Sequence, residues 1–352
     1  MLKDIRKYWF IRLILYPLSV LYGIISDLRN LGYSAGIFTR WKCDVPVISI
    51  GNMIAGGTGK TPFTMLCIDL LKEQYQQIVV VSRGYQRKSK GLQIVSDGQG
   101  TVIPAEMGGD EPVMIATKYP QVPVIVSENR KEGIKQAVNG YRADLILLDD
   151  AFQHRKVARS CDLLLINGGR DLNRERLLPL GDLRERLKHL RRADIVLLNT
   201  SQGTLSKEDR GLLNFLYKGP VFDCHFRPKT LVNSRLEKIA DINILRGKSA
   251  YLLCAIAAPD QFVETIAQLG AEIQKIHIFP DHHFFTTEDY EQIKDQYQAL
   301  KCDYLLCTEK DMVKLETSFL KGLNLVAVGL QGEVINSKSF VDKLIQFIDN
   351  TV

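Results

Sequence analysis

The sequence feature that most constrains the fold is a glycine-rich stretch at residues 51–62, GNMIAGGTGKTP. An apolar, β-branched run, VPVISI, precedes it at residues 45–50, and a segment with helical apolar spacing follows at residues 63–71. This order of strand, glycine loop and helix is the context that a phosphate-binding loop requires. Backbone N–H groups of the loop would face phosphates, Lys60 would reach the β- and γ-phosphates, and Thr61 would bind Mg²⁺. We therefore predict a nucleotide-binding α/β domain.

The loop departs from the pattern G-x-x-x-x-G-K-[ST] because Ile54 stands where the first glycine is expected. GG-x-GK-T resembles the variant loop of the P-loop class that contains dethiobiotin synthetase and the ParA-like ATPases. That class often carries Lys before the glycine doublet, where this chain has Ala55. The residues that we predict to bind the nucleotide in this loop are Gly56, Gly57, Thr58, Gly59, Lys60 and Thr61.

The chain has 352 residues, of which 45% are hydrophobic and 24% charged, enough for one large or two medium domains. Apolar strand-like runs alternate with helical segments over residues 77–199, which indicates a parallel sheet covered on both faces. A smaller α/β unit without a phosphate loop follows. Its predicted strands lie at residues 249–256, 271–278, 304–307 and 323–328, and its last helix at 337–349. The predicted segments are an N-terminal membrane-associated segment (1–30), a P-loop domain (31–218), a strand-like linker (219–236) and a C-terminal α/β domain (237–352).

The N-terminal segment is basic, aromatic and apolar. Residues 1–42 hold seven Lys and Arg against two Asp, which is most of the formal net charge of +6. Residues 13–26 are uncharged and mostly apolar, a stretch shorter than the roughly 20 residues of a spanning helix. No small-residue cleavage site follows, so we do not expect a signal peptide. Aromatic and basic residues suit an anionic membrane surface, and we predict a peripheral or monotopic helix. The alternative is a buried amphipathic helix that caps the core.

Seven cysteines are scattered along the chain without a C-x-x-C motif. This usage indicates a reduced, cytosolic environment.

Two carboxylates end one of the predicted strands. Asp149 follows the apolar run at residues 145–148, the position from which P-loop domains bind Mg²⁺, and Asp150 comes next. A lone Asp at a strand end often only caps a helix, but two in succession favour metal binding or catalysis.

A second group of titratable residues is Asp281, His282 and His283, at the end of a predicted strand. Zinc needs three or more ligands, and no Cys or His pair is suitably spaced to complete such a site. A His–Asp pair that tunes a proton acceptor is therefore the favoured interpretation. Spacing alone leaves two other groups open. Asp110 and Glu111 are also compatible with a helix cap, and residues 184–186 with a solvated helix face.

Taken together, these segments resemble the tetraacyldisaccharide 4′-kinase family. The matching stretches cover nearly the whole chain in order: residues 18–23, 51–62, SRGY at 82–85, GDEP at 109–112, LDDAFQHR at 148–155, LPLGDLRE at 178–185, FPDHH at 279–283 and TEKD at 308–311. DD-x-FQHR and TEKD are more specific in combination than the phosphate loop. Two departures are Ala151, where Gly is common, and the less glycine-rich CAIA at residues 254–257.

The resemblance implies transfer of the ATP γ-phosphoryl group to the 4′-hydroxyl of an acylated disaccharide 1-phosphate lipid, giving lipid IVA. It also implies Mg²⁺, a location on the cytoplasmic face of the bacterial inner membrane, and two α/β/α domains joined by a two-stranded linker. We expect neither a nucleic-acid partner nor an obligate protein partner.

The same resemblance implies residue roles. An Asp–His catalytic pair falls on Asp110 and His282, with Lys60, Asp149 and Asp150 as further catalytic residues. Metal ligands fall on Thr61, Asp149 and Glu185, and a nucleotide contact on Lys310. Substrate contacts fall on Arg83, Glu111, Arg130, His154, Arg184 and Glu185. Because the pair spans the predicted linker, we expect it to form only when two domains close.

A different class of function also fits a P-loop beside a membrane helix, namely a ParA-like or GTPase-like nucleotide switch. Ala55 in place of the Lys of that class argues against it, as does the Asp281 to His283 cluster, which a switch does not need.

Overall fold

The computed structural model describes residue 6 and residues 8–350. Its helices are α1 (Trp9–Ser34), α2 (Lys60–Leu71), α3 (Ala105–Gly108), α4 (Asp110–Lys118), α5 (Arg130–Tyr141), α6 (Lys207–Leu216), α7 (Pro259–Gln268), α8 (Thr287–Leu300), α9 (Glu309–Met312) and α10 (Ser337–Asp349). Its strands are β1 (Val47–Asn52), β2 (Ile78–Ser82), β3 (Gln93–Ser96), β4 (Val124–Val126), β5 (Leu145–Asp149), β6 (Cys161–Asn167), β7 (Ile195–Asn199), β8 (Val221–Val232), β9 (Lys238–Asp241), β10 (Ser249–Cys254), β11 (Glu272–Ile278), β12 (Tyr304–Thr308) and β13 (Leu325–Val334). Short 3₁₀ helices lie at Leu187–Arg192 and Ile242–Leu245.

The predicted strands are present, and most of their ends shift by one or two residues. The predicted α/β class is therefore confirmed. Two strands lie outside the predicted ones, β9 and β3. The second of these, β3, is four residues long and lies in a stretch rich in Lys, Ser and Gly. It pairs antiparallel with β4, so tertiary pairing rather than local sequence makes it a strand.

The chain divides into two compact units. Unit 1 contains the chain through Gln76, Asp144–His225 and the chain from Glu333 onward; unit 2 contains Gln77–Ala143 and Phe226–Gly332. This division differs from the predicted boundaries, because residues 77–143, predicted within the P-loop domain, group with residues 226–332.

Unit 1 carries a parallel sheet in the order β8, β7, β6, β1, β5. Its central strands β1, β5 and β7 are buried along their whole length, as expected for a sheet covered on both faces. Helix α2 packs on β1 and β5. Since residues 53–59 connect β1 to α2, this packing holds the glycine loop at the carboxyl end of β1.

Unit 2 contains the parallel strands β11, β10, β12 and β13 in that order. It also contains β2 and β4 in parallel, and an antiparallel pairing of β8, in the predicted linker, with β9, which begins two residues beyond the predicted end of that linker. An apolar core that includes Leu252, Leu306 and Val326 lies under α7.

Helix α1 has its small and polar residues buried and its large apolar residues exposed. Its buried residues are Ser19, Gly23, Ser26, Asn30 and Gly32. Its exposed residues include Trp9, Leu13, Ile14, Tyr16 and Leu28, each at least 60% exposed. The helix is 26 residues long and is long and apolar enough to cross a membrane by length and composition. The helix extends beyond the uncharged residues 13–26 and includes Asp27, which pairs with Lys188, and Arg29, which donates to the Gln153 carbonyl.

Candidate active site

The glycine loop begins where β1 passes closely against a neighbouring segment. A Cβ on Gly51 would lie 2.6 Å from Cβ of Phe152, so only glycine fits there. Asn52 then holds the loop, since its Nδ2 donates to the Ile54 carbonyl and to Thr58 Oγ1, both at 2.6 Å. Gly59 has φ +87°, a left-handed conformation that favours glycine, and α2 begins at the next residue. The predicted strand, loop and helix therefore form a folded phosphate loop.

Ile54, the departure from the usual loop pattern, has a structural explanation. Its side chain is 4% exposed and belongs to an apolar core that also contains Leu183 and Leu198. Its backbone forms an antiparallel bridge with Leu183. The position therefore anchors the loop by packing instead of supplying glycine flexibility.

Lys60 and Thr61 occupy the first turn of α2, and Asp149 ends β5 beside it. Thr61 and Asp149 are 4% and 1% exposed. Asp149 Oδ1 accepts a hydrogen bond from Thr64 Oγ1 at 2.9 Å, so the carboxylate is fixed in orientation from α2. Oxygen ligands of this kind suit Mg²⁺, which takes one or two protein ligands and completes its shell with phosphates and water. Thr61 and Asp149 therefore fit the predicted metal role.

Asp150 lies between two cationic side chains. Arg184 Nη1 donates to both of its oxygens, at 2.8 and 3.0 Å, and Lys60 Nζ lies 3.7 Å from Oδ1. Asp150 has φ +49°, which turns the chain immediately after the strand. The sequence placed these three residues in separate motifs, and the fold brings them together at the phosphate loop.

Glu185 is 0% exposed and its two oxygens are occupied. Arg192 Nη2 lies 2.7 Å from both, Gln153 Nε2 donates to Oε1 at 3.0 Å, and Asn30 Nδ2 donates to Oε2 at 2.8 Å. Burial lowers the pKa of Arg192, and Glu185 opposes that shift. This geometry does not favour the predicted metal and substrate contacts of Glu185, because a carboxylate saturated by three donors has no oxygen left for a ligand.

In unit 2, His282 Nδ1 lies 2.8 Å from Asp110 Oδ2. Asp110 begins α4 and is 3% exposed, and His282 has φ +62° in the turn after β11. The Tyr85 ring packs against the imidazole, with centroids 5.7 Å apart. Both residues lie in unit 2, where the pair is formed in this structure, and the expectation that it forms only on closure of two domains stays a prediction.

Two lysines lie close to this pair, Lys310 beside His282 and Lys314 beside Asp110. Lys310 Nζ lies 3.4 Å from His282 Nε2 and 3.4 Å from Asp281 Oδ1. Lys314 was not predicted. Its side chain is 0% exposed, and its Nζ lies 2.8 Å from Asp311 Oδ1 and 3.9 Å from Asp110 Oδ2. The only sequence signal for Lys314 is its spacing, three residues after the Asp of TEKD.

The remaining predicted site residues differ in how exposed to solvent they are. Arg130 is 2% exposed at the start of α5 and its Nη1 donates to the Ser127 carbonyl at 2.6 Å. Glu111 and His154 are half-buried, and Arg83 is exposed. Unit 2 contains Arg83, Glu111, Arg130 and Lys310, and unit 1 contains His154. Their roles as ligand contacts stay predictions.

A parallel sheet with a folded phosphate loop, an adjacent buried carboxylate and clustered Lys and Arg defines a P-loop nucleotide enzyme. A Tetraacyldisaccharide-1-P 4′-kinase family model, LpxK, matches residues 11–349. The chain belongs to this family.

Named relatives and a solved structure agree with this assignment. The chain is 34% identical over 319 residues to the tetraacyldisaccharide 4′-kinase of Chlorobium phaeovibrioides, covering 86% of each chain. It is 36% identical over 310 residues to that of Desulfotalea psychrophila, covering 86% of this chain and 87% of the relative. The crystal structure of "apo" form LpxK from Aquifex aeolicus in complex with ATP superposes with a TM-score of 0.78 at 33% identity, covering 96% of this chain and 99% of that one.

Proposed function

We propose that this chain is an ATP-dependent kinase that transfers the γ-phosphoryl group to the 4′-hydroxyl of tetraacyldisaccharide 1-phosphate, giving lipid IVA. The observation that carries the proposal is the folded phosphate loop with Lys60, Thr61 and Asp149 in place, in a chain that matches the kinase family over residues 11–349. The alternative of a ParA-like or GTPase-like switch is not favoured, because its family is not the one that matches.

The nucleotide site in unit 1 supplies charge neutralisation. Phosphoryl transfer depends on positioning and electrostatic stabilisation more than on covalent chemistry. Lys60 and Arg184 are held beside the loop by Asp150, so their positive charges are in place before the nucleotide arrives. Mg²⁺, held by Thr61 and Asp149, would neutralise charge on the phosphates when bound.

The Asp110–His282 pair supplies a proton acceptor. A sugar hydroxyl is a poor nucleophile at neutral pH, so a base that takes its proton assists the transfer. His282 Nδ1 is bound by Asp110, which leaves Nε2 to accept the proton, and Asp110 then stabilises the imidazolium. Lys310 Nζ lies 3.4 Å from the same Nε2, on the side of the ring away from Asp110.

A kinetic cycle tests the pair. We expect Asp110→Asn and His282→Ala each to lower kcat by roughly 10²- to 10⁴-fold, with the double variant scarcely worse than the poorer single one. His283→Ala is the matched control, because His283 bonds Asp289 at 2.8 Å instead of Asp110, and its kcat should stay near wild type. Transfer of radiolabel from ATP to the lipid is the measurement. Fully multiplicative losses would show that the two residues act independently.

We propose further that the chain works at the cytoplasmic face of the inner membrane, with the exposed side of α1 in the lipid interface. The support is the contrast between its faces, since Trp9 is 73% exposed whereas Ser19 is 6% exposed. A row of exposed Leu, Ile, Trp and Tyr is typical of helices that lie in the headgroup region. A peripheral or monotopic helix would bring the active site to a substrate whose acyl chains lie in the membrane.

A further inference from the structure

Three hydrogen bonds join the inner side of α1 to residues 177–185 of unit 1. Ser19 Oγ donates to the Leu177 carbonyl at 2.9 Å. Tyr22 OH donates to the Arg184 carbonyl at 2.7 Å, and Asn30 Nδ2 donates to Glu185 Oε2 at 2.8 Å. The helix approaches closely, because a Cβ on Gly23 would lie 2.7 Å from Leu177 Cδ1.

The other side of that segment is joined to the phosphate loop. We call residues 182–185 the bracing segment. Its Asp182 carbonyl accepts from Ala55 N at 2.8 Å, and its Arg184 N donates to the Met53 carbonyl at 2.7 Å. The bracing segment therefore lies between α1 and the loop and is bonded to both.

The bracing segment also carries side chains to the phosphate end of the site. Arg184 binds Asp150, which lies 3.7 Å from Lys60. Glu185 binds Gln153, whose Nε2 also donates to the Asn52 carbonyl at 2.7 Å, at the start of the loop. A shift of this segment would thus move the loop backbone and the partner of Lys60 together.

The hydrogen bonds that Asn30 and Tyr22 of α1 make can fix the position of the bracing segment. Asn30 is 2% exposed and Glu185 is 0% exposed, so their bond is shielded from water. Burial raises the pKa of Tyr22, so its hydroxyl stays protonated and able to donate. The backbone pairing with the loop is an isolated bridge at Ile54 and Leu183 instead of a long ladder. Support from the second side therefore matters for the geometry of the segment.

We propose that Tyr22 and Asn30 are positioning residues of the nucleotide site, which set the bracing segment, and through it the phosphate loop and Asp150, for ATP. The outer face of α1 serves the membrane, and the inner face serves the nucleotide. This inference rests on the nucleotide-binding part of the proposed function and needs no transfer to lipid.

Equilibrium binding of a fluorescent ATP analogue with Mg²⁺, in detergent without lipid substrate, tests the proposal. We expect Tyr22→Phe and Asn30→Ala each to weaken nucleotide binding by about three- to tenfold, as the loss of one positioning hydrogen bond would. KM for ATP should rise by a similar factor while KM for the lipid stays within about twofold, a split that general destabilisation would not produce. Asn30→Ala combined with Glu185→Gln should bind little worse than the poorer single variant.

Tyr16→Phe is the matched control, because it removes a hydroxyl from the same helix at a position 62% exposed. It should bind the analogue like wild type. Unchanged nucleotide affinity in both Tyr22→Phe and Asn30→Ala would overturn the proposal, as would an equal loss in Tyr16→Phe. Because binding is measured without transfer, a failure of the proposed kinase reaction would not imitate either result.

Discussion

Replacing Lys314 with Met should destabilise unit 2 severely. The Lys314 ammonium is 2.8 Å from Asp311 Oδ1, with both side chains 0% exposed, and it donates to the Ala255 carbonyl at 3.0 Å. Met fills a similar volume but leaves the Asp311 carboxylate buried without its cation. The perturbation therefore removes charge and donors while keeping the packing.

The magnitude follows from the distances. At an effective dielectric constant of about 20, unit charges 2.8 and 3.9 Å apart attract by roughly 6 and 4 kcal/mol, before the cost of desolvation is subtracted. Removing one partner of such a buried pair costs about 3–5 kcal/mol. For a unit of this size, at about 2–4 °C per kcal/mol, that is a fall in Tm of about 6–20 °C.

Thermal unfolding followed by circular dichroism, with hydrogen exchange at β12 and α9 to locate the change, measures the effect. Lys310→Met is the matched control, since Lys310 is 19% exposed and its loss should shift Tm by only a degree or two. Adding Asp311→Asn to Lys314→Met should recover part of the stability, because the amide still accepts from Thr308 Oγ1, which lies 2.8 Å from Asp311 Oδ2. A Lys314→Met protein that melts within 2 °C of wild type would refute the reasoning.

Three further predictions concern charge, pH and the membrane. Lys60→Ala and Asp149→Ala should each lower kcat by roughly 10²-fold or more in the radiolabel assay, and near wild-type turnover would remove the nucleotide-site assignment. Burial raises the pKa of Asp194 to about 6, so its contribution to stability is present below its unfolded value near 3.8 and is lost as pH rises through about 6. Asp194→Asn should therefore raise Tm by a few degrees at pH 7.5 and by little at about pH 3.5, below the unfolded pKa; equal shifts at both would contradict this. Ile25→Glu with Leu28→Glu, at positions 58% and 61% exposed, should release the protein from anionic vesicles and raise KM for lipid, with ATP affinity unchanged; undiminished sedimentation with the vesicles would place that face outside the interface.

Local patterns in the sequence were enough for the elements of the site. Strand β1, the glycine loop and helix α2 are adjacent in the chain, so their order predicts a phosphate loop without knowledge of the fold. The position of Asp149 was predictable for the same reason, because an apolar strand that ends in a carboxylate is itself a local pattern. Helix α10 was predicted at its observed bounds, since its apolar residues recur at helical spacing.

The tertiary structure decided which residues meet. Asp110 and His282 are 172 positions apart, and only the fold of unit 2 places them 2.8 Å from each other. The division of the chain into units depends on contacts between distant segments, which composition does not show. Lys314 was missed because a buried lysine is recognisable only from its partners.

Helix α1 shows most clearly which properties follow from the sequence and which depend on the tertiary structure. Its apolar and basic composition predicts affinity for a membrane, because hydrophobicity and charge are properties of the residues themselves. Which side faces inward is a property of packing, and the side that packs is the polar one, with Ser19, Tyr22 and Asn30 bonded to Leu177, Arg184 and Glu185. Hydrogen-bond partners more than 150 residues away cannot be read from a local pattern, so only the folded chain shows that the helix also braces the nucleotide site.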